Sequence, residues 1–558
     1  MPIKKLSIII PLLGYLLGQT TGKISGSITD KITSESLPGT NIYLEQTPYG
    51  TASDRDGRFS IFNIPPGNYT LKVDMIGYKS IRLEDVKISV NRTLSLDIEM
   101  EQTVIEGEVV TVEVARMAQK KDQTGTIKNI SGDEINALAV ESVGSVINMQ
   151  AGVVNGHFRG GRNTEVTYMI DGVQVDETFG GSSAAVEIQP EAVQDLEVIT
   201  GTFNAEYGRA MSGVVNVVTR DGGPKFEGSA SAGLSFFQTA NTDIFIGLSP
   251  DLNRSQDLKF SLGGPLLGDK ITFFSNVRIQ DNQGHLNGHR IFTVTDISNF
   301  YSDDSLEWTS SKSGDSSYVP MNTGENLSAL LKLSFKLFDG IRVSLLGSLS
   351  DDSWFGYDHG FKYNPDGRAG SYKETSYGSF QLNHMINPKL FYELKVSYLD
   401  NYTGNYLFKD PLDYSLADTA GIYHDGNFHE AKDTVYSYIH DKYLENYGSG
   451  FFTGGQQKNH SILSMIDRTV KFDLNWQANY NHNIKLGYLK ISHNVDQQWR
   501  AIRNKYDGEA SLSDIYKPEI FGDTTVYADL YKVAPQEAAA YIQDKMEFDE
   551  MVVNIGIR

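Results

Sequence analysis

The segment from Thr469 to Tyr480, TVKFDLNWQANY, alternates between apolar and polar residues along its whole length. One face carries Val470, Phe472, Leu474, Trp476, Ala478 and Tyr480, and the other carries Lys471, Asp473, Asn475, Gln477 and Asn479. Such a period of two predicts a β-strand with one apolar face and one polar face. The same pattern recurs within residues 327–337, 341–349 and 390–398. The second half of the chain is therefore predicted to be antiparallel sheet.

The connections between these predicted strands alternate in length. Short turns lie at residues 338–340, 386–389, 481–483 and 548–550, and long polar loops cover about 281–325, 350–374, 401–468 and 494–535. Long loops without structure are uncommon in compact soluble domains. They are normal on the outer side of an outer-membrane barrel, whose tilted strands cross the bilayer with about 9–11 residues. We expect residues 222–558 to form part of such a barrel, with about eleven strands.

Composition excludes several classes of function. The 558 residues carry a formal net charge of -21 and no cysteine. Nucleic acid is therefore not expected as a partner, because phosphate binding needs clustered Lys and Arg. Disulfides and thiolate metal sites are excluded. Residues 1–21 have a basic start followed by the apolar run from Leu6 to Gly18, which predicts a signal peptide for export.

The residues after this signal predict a small β-sandwich and a linker. Residues 22–101 contain short alternating strands broken by turn sequences such as DRDG and PPGN. Residues 102–131 then form a linker with a β-branched run, Val109, Val110, Thr111 and Val112. This run could add a strand to the sheet edge of another protein. It could also be the last strand of the sandwich itself, and both alternatives stay open.

The stretch from Arg159 to Val173, RGGRNTEVTYMIDGV, raises the question of a catalytic or phosphate-binding loop. A phosphate loop needs a Gly-Lys-Ser/Thr sequence and a following helix, and neither is present. A catalytic Asp171 needs a second carboxylate, a histidine or a metal, and the surrounding sequence offers His157 alone. We therefore expect no enzymatic activity, no cofactor and no metal. Short helices are predicted within residues 131–152, and within residues 189–201 a short helix is predicted to lead into a strand.

Two resemblances follow from these residues. The stretch NIPPGNYTLKV, residues 63–73, is similar to the carboxypeptidase regulatory-like domain, an accessory sandwich. Residues 132–221 resemble the plug domain of TonB-dependent outer-membrane receptors. The matching stretches are QAGV (150–153), RGGR (159–162), MIDGV (169–173), LEVITG (196–201), EYG (206–208) and SGVVNVVTR (212–220). The fold class is therefore mostly β: a sandwich, an α+β plug and a partial transmembrane barrel.

The resemblance implies roles for several residues. Asp171 and Gly172 would make a tight turn between plug strands, and Arg159 and Arg162 would contact the barrel wall and gate the movement of the plug. The last plug segment, with Glu206, Tyr207, Gly208 and Arg209, would also contact the wall. Val109 to Val112 would then be the TonB box, which adds a strand to a TonB-type energy-transducing protein in the periplasm.

The resemblance also implies a function and partners. The protein would be an importer in the outer membrane of a Gram-negative-type bacterium, in contact with outer-membrane lipid. Its external ligand would be a siderophore, cobalamin, an oligosaccharide or a peptide, taken up with energy from the inner-membrane proton gradient. The alternative is an Oar-like protein with a structural, adhesive or secretion-related role. A glycan importer with a lipoprotein lid is a third possibility, which the sequence VTYMIDG favours less.

The length of the predicted barrel does not match the family. Barrels of the family have about 22 strands, and the sequence stops at MVVNIGIR within an alternating strand. An open half-barrel would leave unpaired strand edges in lipid, which is costly. We therefore expect the sequence to be the N-terminal part of a longer protein.

Overall fold

The structure is a computed structural model. It describes residues 21–558 apart from 104–108, 114–125, 178–183, 250–253, 269, 297, 301–302, 339, 413, 416–420, 425–426, 431–434, 439–449, 505–517 and 549–550. The predicted signal peptide therefore lies outside the described residues, and so does most of the predicted linker.

The first part of the chain is the expected sandwich of two sheets. Its strands are β1 Gly22–Asp30, β2 Asn41–Leu44, β3 Gly50–Ala52, β4 Arg58–Ile64, β5 Gly67–Asp74, β6 Ser80–Ile88, β7 Thr93–Met100 and β8 Val109–Glu113. One sheet has the order β4-β1-β7 and the other β3-β2-β5-β6-β8. Between them lies an apolar core that includes Ile24, Ile28, Leu71 and Val73, each 0 % exposed.

The central domain follows the sandwich. Its elements are β9 Ile127–Ser131, α1 Gly132–Asn136, α2 Val143–Asn148, β10 Val153–Val154, β11 His157–Phe158, β12 Val166–Ile170, β13 Val173–Gln174, β14 Val193–Ile199 and β15 Gly213–Thr219. Five of the strands form a sheet in the order β13-β12-β15-β14-β9. All seven residues of β15 are buried at its centre. This explains why valines occupy both faces of this strand, with Asn216 and Thr219 as its only polar residues, because a strand covered on both faces has no face toward water.

Local sequence signals explain the helices of the central domain. Ser131 caps α1 and forms a reciprocal capping box with Glu134, and Ser142 caps α2. The short helix expected to lead into a strand within 189–201 is a single 3-10 turn, Pro190–Ala192, and the expected strand follows it directly as β14. β14 pairs with β9 on one side and with β15 on the other. Among the described residues, no helix is both long and apolar enough to cross a membrane.

The remaining residues build a large antiparallel sheet and several short ribbons. The strands are β16 Glu227–Ser235, β17 Ser255–Leu267, β18 Ile271–Asn282, β19 Asn287–His289, β20 Ser298–Asn299, β21 Thr309–Ser310, β22 Tyr318–Pro320, β23 Thr323–Phe338, β24 Ile341–Phe355, β25 Gly370–Asn387, β26 Leu390–Tyr406, β27 Tyr414–Ser415, β28 Gly421–His424, β29 Asn427–Glu430, β30 Val435–Tyr436, β31 Asn459–Gln477, β32 His482–Ala501, β33 Arg503–Asn504, β34 Pro518–Glu519, β35 Ala528–Val533, β36 Gln536–Glu547 and β37 Val552–Ile557. Twelve of them form the large sheet, in the order β16-β17-β18-β23-β24-β25-β26-β31-β32-β36-β37, with β35 also paired to β32.

Burial in the large sheet is the reverse of burial in a soluble protein. In β31, Lys471 and Asp473 are 6 % and 1 % exposed, whereas Val470 and Trp476 are 39 % and 48 % exposed. The polar face therefore lies against the interior, and the apolar face points outward. A surface of this kind is stable in hydrocarbon and unfavourable in water. The large sheet is thus a partial transmembrane barrel around the central domain.

The strands are longer than the 9–11 residues that cross a bilayer. β31 has 19 residues and β32 has 20. They extend into segments that were expected to be loops, since β24 runs on to Phe355 and β31 begins at Asn459. The regular alternation of apolar and polar residues ends there, but the backbone pairing continues. The short turns between β17 and β18, β23 and β24, β25 and β26, and β31 and β32 all lie at one end of the sheet.

Candidate functional site between the central domain and the large sheet

The Asp171-Gly172 pair forms a tight turn between β12 and β13. Both residues have positive φ, 50° and 75°, and Ile170 pairs with Val173 across the turn. The carboxylate of Asp171 accepts hydrogen bonds from Thr219 N at 2.8 Å and from Thr219 Oγ1 at 2.7 Å. This carboxylate is thereby fixed to the end of β15. It is a structural group, and the turn expected from the sequence is the one present.

Three lysines of the large sheet bind this turn from different strands. Lys332 Nζ, from β23, lies 3.3 Å from Asp171 Oδ2. Lys395 Nζ, from β26, donates to Asp171 O at 2.9 Å, and Lys471 Nζ, from β31, donates to Gly172 O at 3.3 Å. All three are at most 6 % exposed. A buried ammonium group is costly without acceptors, so the turn and the lysines stabilise one another.

A second contact joins the last segment of the central domain to β32 and β36. Glu206 forms a buried ion pair with Lys485, and Arg209 Nη1 lies 3.1 Å from Glu537 Oε1. Burial by itself would raise the pKa of Glu206, but the charges of Lys485 and Lys471 more than offset this and lower it. Glu206 is therefore held as an anion. Tyr207 is buried beside it, and Gly208 O accepts a hydrogen bond from Thr167 Oγ1 at 3.3 Å.

Asp221 fastens the residues that connect β15 to the large sheet. Its carboxylate pairs with Arg342 and accepts a hydrogen bond from Ser334 Oγ at 2.6 Å, and Lys332 Nζ lies 3.5 Å away. Burial opposes its ionisation, but the charges of Arg342 and Lys332 outweigh burial and lower the pKa of Asp221. The connection between the two domains is therefore held by a permanent charge.

A fourth contact involves Arg278 of β18. Its guanidinium donates to both carboxylate oxygens of Asp257, at 2.9 and 2.8 Å. It also lies 2.9 Å from Glu141 Oε2 and donates to Gln189 Oε1 at 3.0 Å. Arg278 thus joins the wall to two loops of the central domain. A planar guanidinium with several donors suits such multiple contacts.

The two arginines expected to contact the barrel wall make their described contacts within the central domain. Arg159 Nη2 donates to Thr126 Oγ1 at 2.7 Å, and Arg162 is held through its backbone by Glu165 Oε2 at 3.1 Å and by Ser212 Oγ at 3.2 Å. The wall contacts that the structure describes come instead from Asp171, Glu206 and other residues named above. A gating role for Arg159 and Arg162 stays a prediction.

The segment from Val109 to Val112 lies in β8, which runs parallel to β6 at the edge of the sandwich sheet. Val109 pairs with Ser80, and Glu113 pairs with Glu84. Of the two alternatives for this segment, the structure shows the last strand of the sandwich. Binding of another protein's sheet edge by the same strand stays a prediction, since it requires that β8 first leave β6.

Two buried carboxylates of β14 face the sandwich. Asp195 Oδ2 accepts hydrogen bonds from Val90 N at 3.0 Å and from Asn129 Nδ2 at 3.2 Å, and burial raises the pKa of Asp195 to about 6. Glu197 Oε2 accepts from Asn91 Nδ2 at 3.1 Å. Complete burial raises the pKa of Glu197 to about 8. Glu197 is therefore mostly protonated at neutral pH.

These arrangements position domains, and they do not resemble a reaction centre. Within the part of the chain that the structure describes, no three His, Asp or Glu side chains lie close enough together to hold a metal ion. The charged groups of the interface are instead paired across it. What the geometry supports is a central domain held inside the large sheet by these polar contacts and by a shared apolar cluster. The residues that the large sheet contributes to this cluster are Phe274, Leu330, Leu346, Tyr377 and Leu399.

The three lysines around the Asp171-Gly172 turn were not identified from the sequence as site residues. The signal that could have found them is their position, because each occupies a polar, inward place in an alternating strand. A buried lysine needs acceptors, and a carboxylate on its own strand, such as Asp473 at 3.5 Å from Lys471, supplies only part of them. The Asp171-Gly172 turn supplies a further acceptor.

Family models match the two N-terminal regions. Residues 24–112 match the CarboxypepD_reg-like domain, and residues 119–215 match the TonB-dependent Receptor Plug Domain. The first match includes most of β8.

Curated relatives cover part of the chain. The chain is 28 % identical over 294 residues to "TonB-dependent transporter Oar" of Myxococcus xanthus, which is 46 % of this chain and 27 % of the relative. It is 27 % identical over 202 residues to "TonB-dependent receptor P3" of Formosa agariphila, 33 % of this chain and 19 % of the relative. The chain thus spans about a fifth to a quarter of the length of these relatives.

Solved structures with a similar course of the chain are outer-membrane transporters. The outer membrane transporter YddB from Escherichia coli aligns with a TM-score of 0.49 and 11 % identity, over 77 % of this chain and 55 % of that one. The ferric citrate transporter FecA aligns with a TM-score of 0.47 and 12 % identity, over 78 % of this chain and 55 % of that one.

Proposed function

We propose that this chain, which belongs to the TonB-dependent receptor family and carries its plug domain behind a carboxypeptidase regulatory-like sandwich, takes up an external ligand through the outer membrane by movement of the central domain. The family and the outward apolar face of the large sheet place the protein in the outer membrane. The observation that carries the proposal is the set of three lysines on the Asp171-Gly172 turn. These lysines join three strands of the large sheet to one turn of the central domain, and the domain can move only after these contacts break.

The proposed energy source is a TonB-type protein that pulls on Val109 to Val112. A strand with exposed backbone groups can be added to the sheet edge of a partner. β8 has such groups on the side that does not face β6. The pull would pass through the linker to β9 and then to the central domain, whose polar contacts with the wall break one after another.

Uptake by the full-length protein tests this proposal. Cells that produce it are offered labelled iron chelates, cobalamin, oligosaccharides and peptides, with and without a proton uncoupler. We expect uptake of one of these classes, and we expect the uncoupler to abolish it. Val110→Pro removes a backbone donor and should abolish uptake, whereas Val110→Thr keeps the donor and the strand propensity and should preserve it.

The outcome also separates import from a passive surface role. If Val110→Pro is present in normal amounts and every accumulated ligand enters equally well with and without the uncoupler, energised import is wrong. A structural, adhesive or secretion-related role would then remain, as expected for the alternative raised by the sequence.

A further inference from the structure

The sandwich lies at the short-turn end of the large sheet. The guanidinium of Arg58 lies 4.7 Å above the ring of Tyr480, in the turn between β31 and β32. In outer-membrane barrels the short turns face the periplasm. The sandwich is therefore on the side from which the central domain or a ligand would leave toward the cell interior.

Specific polar contacts attach the sandwich to the wall. Lys23 Nζ lies 2.8 Å from Glu547 Oε2, and Thr93 Oγ1 donates to Glu547 Oε1 at 3.1 Å. The side-chain amides of Asn63 and Asn383 are within 2.6 Å of each other and buried. These contacts lie on strands β25 and β36, so the sandwich reaches separate parts of the rim.

The same face of the sandwich also touches the central domain. Val90 N donates to Asp195, and Asn91 Nδ2 donates to Glu197 Oε2 at 3.1 Å and to the hydroxyl of Tyr207 at 3.3 Å. These acceptors belong to β14 and to the last segment before β15. The central domain therefore cannot move toward the periplasm without breaking its contacts with the sandwich.

A polar cavity of about 140 Å³ lies where the three parts meet. Its walls come from the sandwich (Lys23, Asn63), the central domain (Glu206, Asn216) and the large sheet (Lys395, Asp473). The sandwich forms the periplasmic floor of this cavity. A space of that size is large enough for on the order of ten water molecules, so the three parts are not closely packed where they meet.

We propose that the sandwich is a second closure of the lumen, seated across the periplasmic mouth, and that it leaves this seat before the central domain can move. This proposal rests on the proposed function in one respect, the pull by a TonB-type protein that would release the sandwich. The handle for release is β8, because it belongs to the sandwich sheet and also carries the strand on which a partner would pull. A force on this strand would first detach the sandwich from the large sheet. The force would then act through the linker on the central domain.

Cysteine pairs test the seat, and the chain has no cysteine of its own to interfere. Thr93→Cys with Glu547→Cys in the full-length protein should be bridged in cells by dibromobimane, which joins nearby thiols. The matched control is Ser27→Cys with Asp97→Cys, whose side chains are 2.6 Å apart within the sandwich. A bridged control with an unbridged test pair would argue against the seat.

The accessibility of one buried position tests release. Asn383 is 3 % exposed beneath Asn63, so Asn383→Cys should react with N-ethylmaleimide only when the sandwich has left. Because the reaction is irreversible, labelled protein accumulates even if the sandwich leaves its seat only briefly. We expect the rate of labelling to be several-fold higher in energised cells than after addition of an uncoupler. Ser36→Cys, at an exposed position of the sandwich, should react equally fast in both.

The outcomes separate the two proposals, because neither measurement needs a ligand. Fast labelling of Asn383→Cys in uncoupled cells, together with an unbridged test pair, overturns the closure. Slow labelling that is the same in energised and uncoupled cells overturns the release. Energy-dependent labelling without uptake of any ligand would support the closure and count against import.

Discussion

The sandwich and the large sheet are both built from strands with a period of two, yet they bury opposite faces. In the sandwich, Ile24 and Ile28 of β1 point inward and are 0 % exposed. In the large sheet, Lys471 and Asp473 of β31 point inward, and Trp476 points outward with 48 % of its surface exposed. Periodicity alone thus identifies a strand but not its surroundings. The surroundings are decided by what the inward face contacts, an apolar core in one case and a polar domain in the other.

The largest expected effect comes from the polar interior of the large sheet. Asp171→Asn removes the charge that pairs with Lys332, while Lys395 and Lys471 keep their backbone acceptors. Breaking a buried ion pair costs about 3–5 kcal/mol. We expect the central domain to become sensitive to proteases at lower temperature, measured on the full-length protein in membranes. In a double-mutant cycle, Lys332→Met should relieve part of this cost. A double variant with fully additive losses would contradict direct coupling.

The next effect compares one residue type in the two regions. Leu71, in the core of the sandwich, is 0 % exposed, and Leu331, on the outer face of β23, is 47 % exposed. Leu71→Ala should lower the free energy of unfolding of the sandwich by about 2–5 kcal/mol. Leu331→Ala should cost much less, since no closed core surrounds it. Denaturation curves measure both, and equal losses would count against the opposite burial of the two regions.

A charge on the outer face gives the third effect. Leu331→Arg should reduce the stability of the large sheet by about 2–4 kcal/mol if this position faces the middle of the bilayer. The measurement is the amount of folded, heat-modifiable protein in outer-membrane fractions. Ser36→Arg, at an exposed position of the sandwich, is the control and should be nearly neutral. Normal assembly of Leu331→Arg would show that this face does not meet hydrocarbon.

The smallest effect is a pH dependence of the contact between sandwich and central domain. Burial raises the pKa of Glu197 to about 8 in the folded protein, above the ordinary value of 4.5. The folded state therefore binds the proton more tightly. The associated stability is fully present below about pH 4.5 and is lost as the pH rises through about 8. Between about pH 7 and 9 the loss is about 1.4 kcal/mol.

Glu197→Gln checks this dependence, because glutamine keeps the acceptor for Asn91 and does not titrate. In thermal unfolding of the full-length variant, the free energy of unfolding should fall less steeply with pH between about pH 7 and 9, because Glu197 no longer contributes to this slope. Asp195 and Glu206 lie nearby and face the same region, so Asp195→Asn serves as the comparison. It should change the slope at lower pH, since the pKa of Asp195 is raised only to about 6. An unchanged slope in Glu197→Gln would rule out this assignment.

The sequence was sufficient where the signal is local. The alternation in TVKFDLNWQANY predicted a strand and its two faces, residues 131–152 predicted short helices where α1 and α2 lie, and Asp171-Gly172 predicted a turn. The alternation of short and long connections also predicted that the short turns lie together at one end of the sheet. Each of these features depends on a few neighbouring residues.

The sequence was insufficient where residues far apart meet. Lys332, Lys395 and Lys471 are separated by many residues and converge only because β23, β26 and β31 curve around one turn. The seat of the sandwich joins Asn63 to Asn383, 320 residues away. The strand ends were also underestimated, because backbone pairing extends beyond the part of each strand that has an apolar face.

The position of Asp221 limits how the lumen can open. Only residues 220–226 connect β15 to β16, and seven extended residues span at most about 25 Å. Asp221 is moreover fastened to Arg342 and Ser334 on the wall. The C-terminal end of the central domain is therefore tethered to the large sheet. While this tether holds, the end of β15 stays within about 25 Å of the start of β16, so the β9 end of the domain can be displaced farther from the wall than the β15 end.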